Sequence, residues 1–251
     1  MKRLAILLMC LLILLCSCGN EKDGFSKKLK KNIIDPADLK LGGYTAENGY
    51  VYLDESDPLV LIAEYERGVE LSNGERDVAY MKLPYINVDL EGAKAVSEHL
   101  NADYTTKYGD YFKKPDDRIV QVDYTSSIVQ DSLAIFVHET VTTPTEKGTI
   151  TYAFYYDILV DCELPLSSYA GVCGSTLSEI MEGLELTDWA AEYMTETGGM
   201  KPTDSCITAL DFNADDQTFD VYCINPDGTT QTVVNVTPVD QELDFSGLEI
   251  S

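Results

Sequence analysis

From about Leu41 to Thr237 the chain reads as short runs of alternating apolar and polar residues broken by turn residues. Residues 59–66 and 77–83 alternate in this way on either side of Ser72-Asn73-Gly74. Asn-Gly tolerates the positive φ of a tight reversal, so the two runs predict a hairpin. Pro84 lacks a backbone N–H and should stop the second strand. Leu90, Ala93, Val96, Leu100 and Tyr104 then recur at three- and four-residue steps, which predicts a helix laying one stripe on a sheet, capped by Asn87 or Asp89. After the polar break Lys113-Lys114-Pro115-Asp116-Asp117 come three dense strand candidates, residues 118–124, 132–141 and 149–160.

A second helical region opens at Thr176, with Glu179 three residues on as a capping box, and ends at Gly198-Gly199. Its stripe is Leu177, Ile180, Met181 and Leu184, then Trp189, Ala190, Tyr193 and Met194, and it divides into two helices if it breaks near Leu186-Thr187. The last section reads as a meander over residues 206–212, 217–224 and 229–236, with Asn225-Pro226-Asp227-Gly228 as its second turn. A loop at residues 213–216 would set Phe212 opposite Gln217, Leu210 opposite Phe219, Thr208 opposite Val221, and Cys206 opposite Cys223. The pattern as a whole predicts an α+β fold: antiparallel sheets with one or two packed helices per domain and a C-terminal β-meander. The expected division is an N-terminal hairpin-plus-helix domain over residues 41–115, a second domain over 116–237 that ends in the meander, and an acidic tail over 238–251.

The N-terminus changes the picture. Lys2 and Arg3 precede twelve uninterrupted apolar residues, Leu4 to Leu15. That run is too short for a hydrocarbon core, which takes ~20 residues, but it suits the central region of a secretory signal peptide. Leu15-Cys16-Ser17-Cys18 resembles the lipobox of bacterial lipoproteins, with a leucine three positions upstream of the cysteine and small residues before the cut. The resemblance implies removal of residues 1–17, diacylation of Cys18 and attachment of a tether, residues 18–40, to the outer face of a bilayer. Cys16 suits lipidation less well, because Leu15 would then sit directly before the cut.

The chain carries 43 acidic against 18 basic residues, a net charge of -25, and this repels phosphate backbones, so nucleic acid is excluded as a partner. The charge is unevenly spread. Residues 21–31 hold five lysines against two acids, whereas residues 151–251 hold nineteen acids and one base, Lys201. The lysines would draw the tether toward an anionic bilayer by roughly 1 kcal/mol each, or simply keep a solvated linker extended.

Candidate chemistry is sparse. Cys162, Cys173, Cys206 and Cys223 are an even set outside the leader, and export permits disulfides; Cys206 with Cys223 and Cys162 with Cys173 is the favoured pairing, and four buried thiols the alternative. Their spacing contains no Cys-x-x-Cys of a zinc site. Asp211, Asn213, Asp215 and Asp216 look superficially like a calcium loop, but Asp216 and Tyr222 stand where glycine and glutamate belong, so an acidic hairpin tip is the better reading. His99 lies beside the helix stripe and His138 in a strand, with no partner legible for either. No nucleophile elbow, zinc-helix motif or phosphate loop is present, and no cofactor is implied. The tyrosines of residues 152–156 could line a sugar- or peptide-binding face, though a core role is the stronger reading.

Leu83-Pro84-Tyr85-Ile86-Asn87 leading into a helix, and Asp131-Ser132-Leu133-Ala134-Ile135 opening a strand, resemble the paired extracytoplasmic domains of unknown function in lysozyme-sensing anti-sigma factors and in the front half of certain peptidoglycan deacetylases. The overlap runs over residues 59–200 and implies helices packed on antiparallel sheet. The anti-sigma factor's spanning helix and the deacetylase's metal-binding domain have no counterpart, and Thr145-Glu146-Lys147-Gly148 replaces a glycine-rich stretch common in the second domain, so no catalytic residue carries over. The expectation is a non-catalytic lipoprotein whose partners are the bilayer, through acylated Cys18, and a cationic protein such as a lysozyme or a peptidoglycan fragment. A cell-wall hydrolase using a carboxylate pair, and a structural or chaperone-like envelope protein, are the alternatives.

Overall fold

The computed structural model describes residues 49–53, 60–86 and 90–239. The leader, the tether with Cys18, the cap candidates Asn87 and Asp89, and residues 240–251 lie outside the described residues. Within them the fold is α+β. Strands β1 (Gly49–Leu53), β2 (Val60–Glu70), β3 (Arg76–Ile86), β4 (Ile119–Val129), β5 (Ser132–Thr142), β6 (Lys147–Asp157) and β7 (Cys162–Leu164) form one sheet in chain order. Helix α1 (Glu91–Lys113) connects β3 to β4, so these two strands run parallel, pairing at Tyr80–Gln121 and Met81–Val122, while every other neighbour is antiparallel. Three shorter helices follow, α2 (Leu166–Val172), α3 (Leu177–Glu185) and α4 (Asp188–Glu196), and then a second antiparallel sheet of β8 (Ile207–Asn213), β9 (Thr218–Ile224) and β10 (Gln231–Val236). The position 115/116, expected to divide two domains, falls in the α1–β4 connection of one continuous sheet, and the first core draws on both sides of it.

Strand β5 explains the layering. Ser132 to Val137 are all buried, without alternation, because the strand is covered on both faces. Leu133, Ile135 and Val137 join the α1 side, with Val96, Leu100 and Tyr104. Ala134 and Phe136 join the other, with Tyr169, Ile180, Leu184, Trp189, Phe219 and Val221. Tyr155 and Tyr156 divide in the same way on β6, which settles the tyrosine-rich strand as core on both faces.

Three expectations are corrected. Pro84 does not end its strand: β3 continues to Ile86, with Pro84 opposite Ile62. It lies past the short β3–β4 pairing, where β3 has a strand neighbour on one side only and proline is tolerated. Side chains of α1 take the missing strand's place, since Ile86 N–H donates to Ser97 Oγ at 2.9 Å and Asn101 Nδ2 donates to the Pro84 carbonyl at 3.1 Å. The helix has no side-chain cap of its own; its N-cap residue is Leu90, and the Ala93 N–H instead donates to Asp161 Oδ1 at 3.2 Å, from the β6–β7 turn. The meander is displaced in register: Phe212 faces Phe219, Leu210 faces Val221, and Ile207, not Cys206, faces Cys223, with an irregularity between Ile207 and Ala209. Thr176 and Glu179 do form the capping box of α3, and the helical region breaks at Leu186–Thr187, where Thr187 caps α4.

Candidate functional site

The small sheet packs against β6 and leaves the β3–β4 side of the same face open. Two cross-strand rows line that open area. One runs through Tyr80, Gln121, Thr140 and Thr149, which are neighbours in the β3–β4–β5–β6 register. The other runs Lys82, Asp123, His138, Thr151: Lys82 Nζ reaches Asp123 Oδ2 at 3.3 Å, Asp123 stands opposite His138, and His138 opposite Thr151. The second row continues beneath the small sheet, where Gln231 Nε2 donates to the Thr151 carbonyl at 3.0 Å and to Thr208 Oγ1 at 2.6 Å, and the Thr151 N–H returns to Gln231 Oε1 at 2.8 Å. Alternation fixes this arrangement, because Ala79, Met81 and Leu83 of β3 fill the core under α1 while Tyr80 and Lys82 between them face outward.

His138 sits at the centre of the row. Its Nε2 contacts Thr125 Oγ1 and its Nδ1 contacts Thr151 Oγ1, both at 2.9 Å. A hydroxyl donates or accepts, so either neutral tautomer is fully satisfied. Burial pushes the imidazole below the usual histidine range, and the opposing pull of Asp123 is the smaller effect. Thr125, His138 and Thr151 thus have the connectivity of a nucleophile, base and orienting group, but a threonine stands where a carboxylate would stabilise the imidazolium, and the surroundings favour the neutral ring. This is a preorganised polar face, not an activated nucleophile. His99 has partners too: on α1 it bonds Glu163 at 3.1 Å and lies 3.5 Å from Asp103.

Tyr222 of β9 stacks on Phe136 of β5 with centroids 6.2 Å apart, which brings the small sheet down onto the large one. Beside it, Asp211 faces Asp220 directly across β8 and β9. Burial, then the neighbouring Asp220, raises the Asp211 carboxyl above its ordinary value, and the Phe212 backbone N–H only partly offsets this. Asp220 is held by Asn235 Nδ2 at 2.9 Å. The stretch that superficially suggested a calcium loop is therefore strand β8 and the hairpin tip, where Asn213 Oδ1 accepts the Asp215 N–H.

Sequence reasoning missed the ion pair on the opposite face, in which a buried carboxylate meets a half-exposed lysine. Glu139 of β5, with its side chain 7% exposed, takes Lys107 Nζ of α1 on both oxygens at 2.7 and 2.9 Å, and Lys107 also stands over the rings of Tyr108 and Tyr152. The signal was a lone acid inside the apolar run of β5. Of the candidate cysteines, Cys162 opens β7, Cys173 ends α2, Cys206 closes a short 3-10 turn and Cys223 is buried in β9; all four are free thiols in the structure.

The helices complete the surface. On α4, Asp188, Glu192 and Glu196 recur every fourth residue, all exposed, and none of the three has an ion-pair partner among the described residues. Lys201, the single base after residue 150, is bound to Glu185 at 2.6 Å.

No protein-family model matches the sequence, and no curated protein matches it either. Among solved structures the chain is similar to a member of the DUF3298 family from Bacteroides fragilis, at 12% identity and a TM-score of 0.41, over 76% of this chain and 91% of that one.

Proposed function

We propose that this protein is a lipid-anchored extracytoplasmic lipoprotein whose acidic body binds a cationic protein of lysozyme type or another envelope component, without catalysis. The observation that carries the binding reading is the disposition of charge. Arg76, Lys82, Lys94, Lys107, Lys113, Arg118 and Lys201 each stand in an ion pair within the body, whereas carboxylates such as those of α4 face solvent with no ion-pair partner among the described residues. Like charges four residues apart weaken a helix slightly, and such a surface accelerates encounter with a cation. The placement rests on Lys2-Arg3, the apolar run and Leu15-Cys16-Ser17-Cys18. Retention of lysozyme and of muropeptides by the immobilised protein, at low and high salt, tests the reading. Saturable retention at low salt that declines as salt is added is expected; no retention at low salt retires the lysozyme form.

A second reading, a cell-wall hydrolase, has one observation in its favour. Asp211 and Asp220 are adjacent carboxylates in different environments, with Asp211 raised as a general acid requires. Release of soluble fragments from purified peptidoglycan, abolished in Asp211→Asn, would replace the binding reading with this one.

A further inference from the structure

We propose that Cys206 and Cys223 are a disulfide-forming pair that locks the 3-10 turn before β8 onto strand β9. The register expected from the sequence, with Cys206 opposite Cys223, is displaced in the structure. Ile207 is the Cα partner of Cys223, so Cys206 lies one residue off the facing position. Facing Cα atoms in an antiparallel pair are about 5 Å apart and consecutive Cα atoms about 3.8 Å apart in any trans conformation, so a step from Ile207 along the direction of β9 puts the two cysteine Cα atoms about 6 Å apart. That is inside the range a disulfide spans, about 4.4–6.8 Å.

In regular strand, Cys206 would point away from the face that carries Ile207 and Cys223. It is instead the last residue of the turn Asp204–Cys206, where alternation does not apply. Its Sγ donates to Tyr193 Oη of α4 at 3.3 Å, and Cys206 and Tyr193 both pack against the second core, of which Cys223 is a buried member. Each strand end is anchored as well: Thr208 Oγ1 donates to the Thr151 carbonyl at 2.6 Å, and Cys223 is fully buried in β9, its Sγ donating to the Val221 carbonyl at 3.7 Å. The other pair lacks this support, because no strand pairing joins Cys162 in β7 to Cys173 at the end of α2.

The chemistry is thiol–disulfide exchange with an external disulfide oxidant. The Cys206 thiolate, on the half-buried and therefore accessible side, attacks one sulfur of the oxidant and releases one thiolate. The Cys223 thiolate then attacks Cys206 Sγ in the mixed disulfide, forming the Cys206–Cys223 bond and releasing the second thiolate. The two protons lost from the cysteines end on the two released thiolates, so the protein is oxidised by two electrons and the oxidant reduced by two. Burial pushes the Cys223 thiol up to about 12, so the second step is slow at neutral pH and should gain about tenfold per pH unit.

The test is to treat the full-length protein with oxidised glutathione, alkylate the remaining thiols in denaturant and map peptides without reduction. The expected result is a linked pair of peptides containing residues 206 and 223, a mass lower by two hydrogens, and alkylated Cys162 and Cys173. The linkage should persist in Cys162→Ser/Cys173→Ser and vanish in Cys206→Ser, a half-exposed position that leaves the core intact. Alkylation of all four cysteines after prolonged oxidation at raised pH, or a linkage joining any other pair, would overturn the proposal.

Discussion

Gly92 shows how one missing side chain admits a remote contact. A Cβ there would fall on the Asp161 carbonyl oxygen and within 2.6 Å of Asp161 Oδ1, so only glycine lets the β6–β7 turn reach the helix and cap it. Asp161 itself adopts φ 60 to make the approach. Gly92→Ala should cost about 1–3 kcal/mol in chemical denaturation, and Ala at position 171, where nothing lies within 4 Å, should not. Tyr155 is the corresponding pin between the sheets. Its hydroxyl donates to the Leu210 carbonyl at 2.9 Å and accepts the Leu210 N–H at 2.6 Å. Tyr155→Phe leaves that buried N–H without its partner and should cost about 1–3 kcal/mol. His138 supplies a pH signature. Its folded pKa lies below the unfolded value, so its contribution is present above about pH 6.5 and is lost as pH falls, because the unfolded chain then takes up a proton the folded ring refuses. Urea unfolding between pH 7.5 and 5 should show a smaller loss of stability in His138→Gln than in the unsubstituted protein; equal losses would remove His138 as the cause.

Helix α1 carries two polar residues in its buried stripe and one beside it, each in contact with the sheet. Ser97 and Asn101 stand in for a strand beyond Met81, and Lys107 neutralises Glu139. Removing Lys107 leaves the buried Glu139 carboxylate without its cation, although the lysine end of the pair is half exposed and screened by water. Lys107→Met should therefore destabilise the protein by about 1 kcal/mol, and adding Glu139→Gln should restore much of that; thermal melts of the single and double variants measure it. These elements also mark what the sequence reveals. Alternation located β2 to β6 and the meander strands, and Thr176 with Glu179 fixed the start of α3 to the residue. Register was harder. A displacement by two residues keeps the same side chains inward, so Leu210 meets an apolar partner at Phe219 or at Val221, and the choice belongs to the turn, where Gln217 takes φ 58 and the loop moves one position along. The three-residue strand β7 and the seven-residue helix α2 are too short for a period. The polar rows of the candidate site were legible only as alternating positions of β4 and β5; their union needed the parallel β3–β4 pairing that the crossover α1 creates.

At the scale of the molecule, structure and charge are arranged separately. The two cores hold the body together on either side of β5, and seven cations of the body stand in internal ion pairs, while the acids of α4 have no such partner among the described residues. One carboxylate is an exception. Asp211 is raised, so its ionised form is disfavoured in the fold, and its neutral form favours folding as pH falls. Asp211→Asn should stabilise the protein at neutral pH, with the gain shrinking once the carboxyl is protonated, and without weakening partner binding if that binding is electrostatic and spread over the surface. The most direct measurement is calorimetric titration of the protein and of Glu192→Lys/Glu196→Lys with lysozyme across a salt series. The account predicts saturable binding at low salt, weakening steadily as salt rises and falling at least about threefold in the charge-reversed protein, whose two substituted positions are exposed and unpaired. Binding that ignores both salt and charge reversal, or none at low salt, would contradict it.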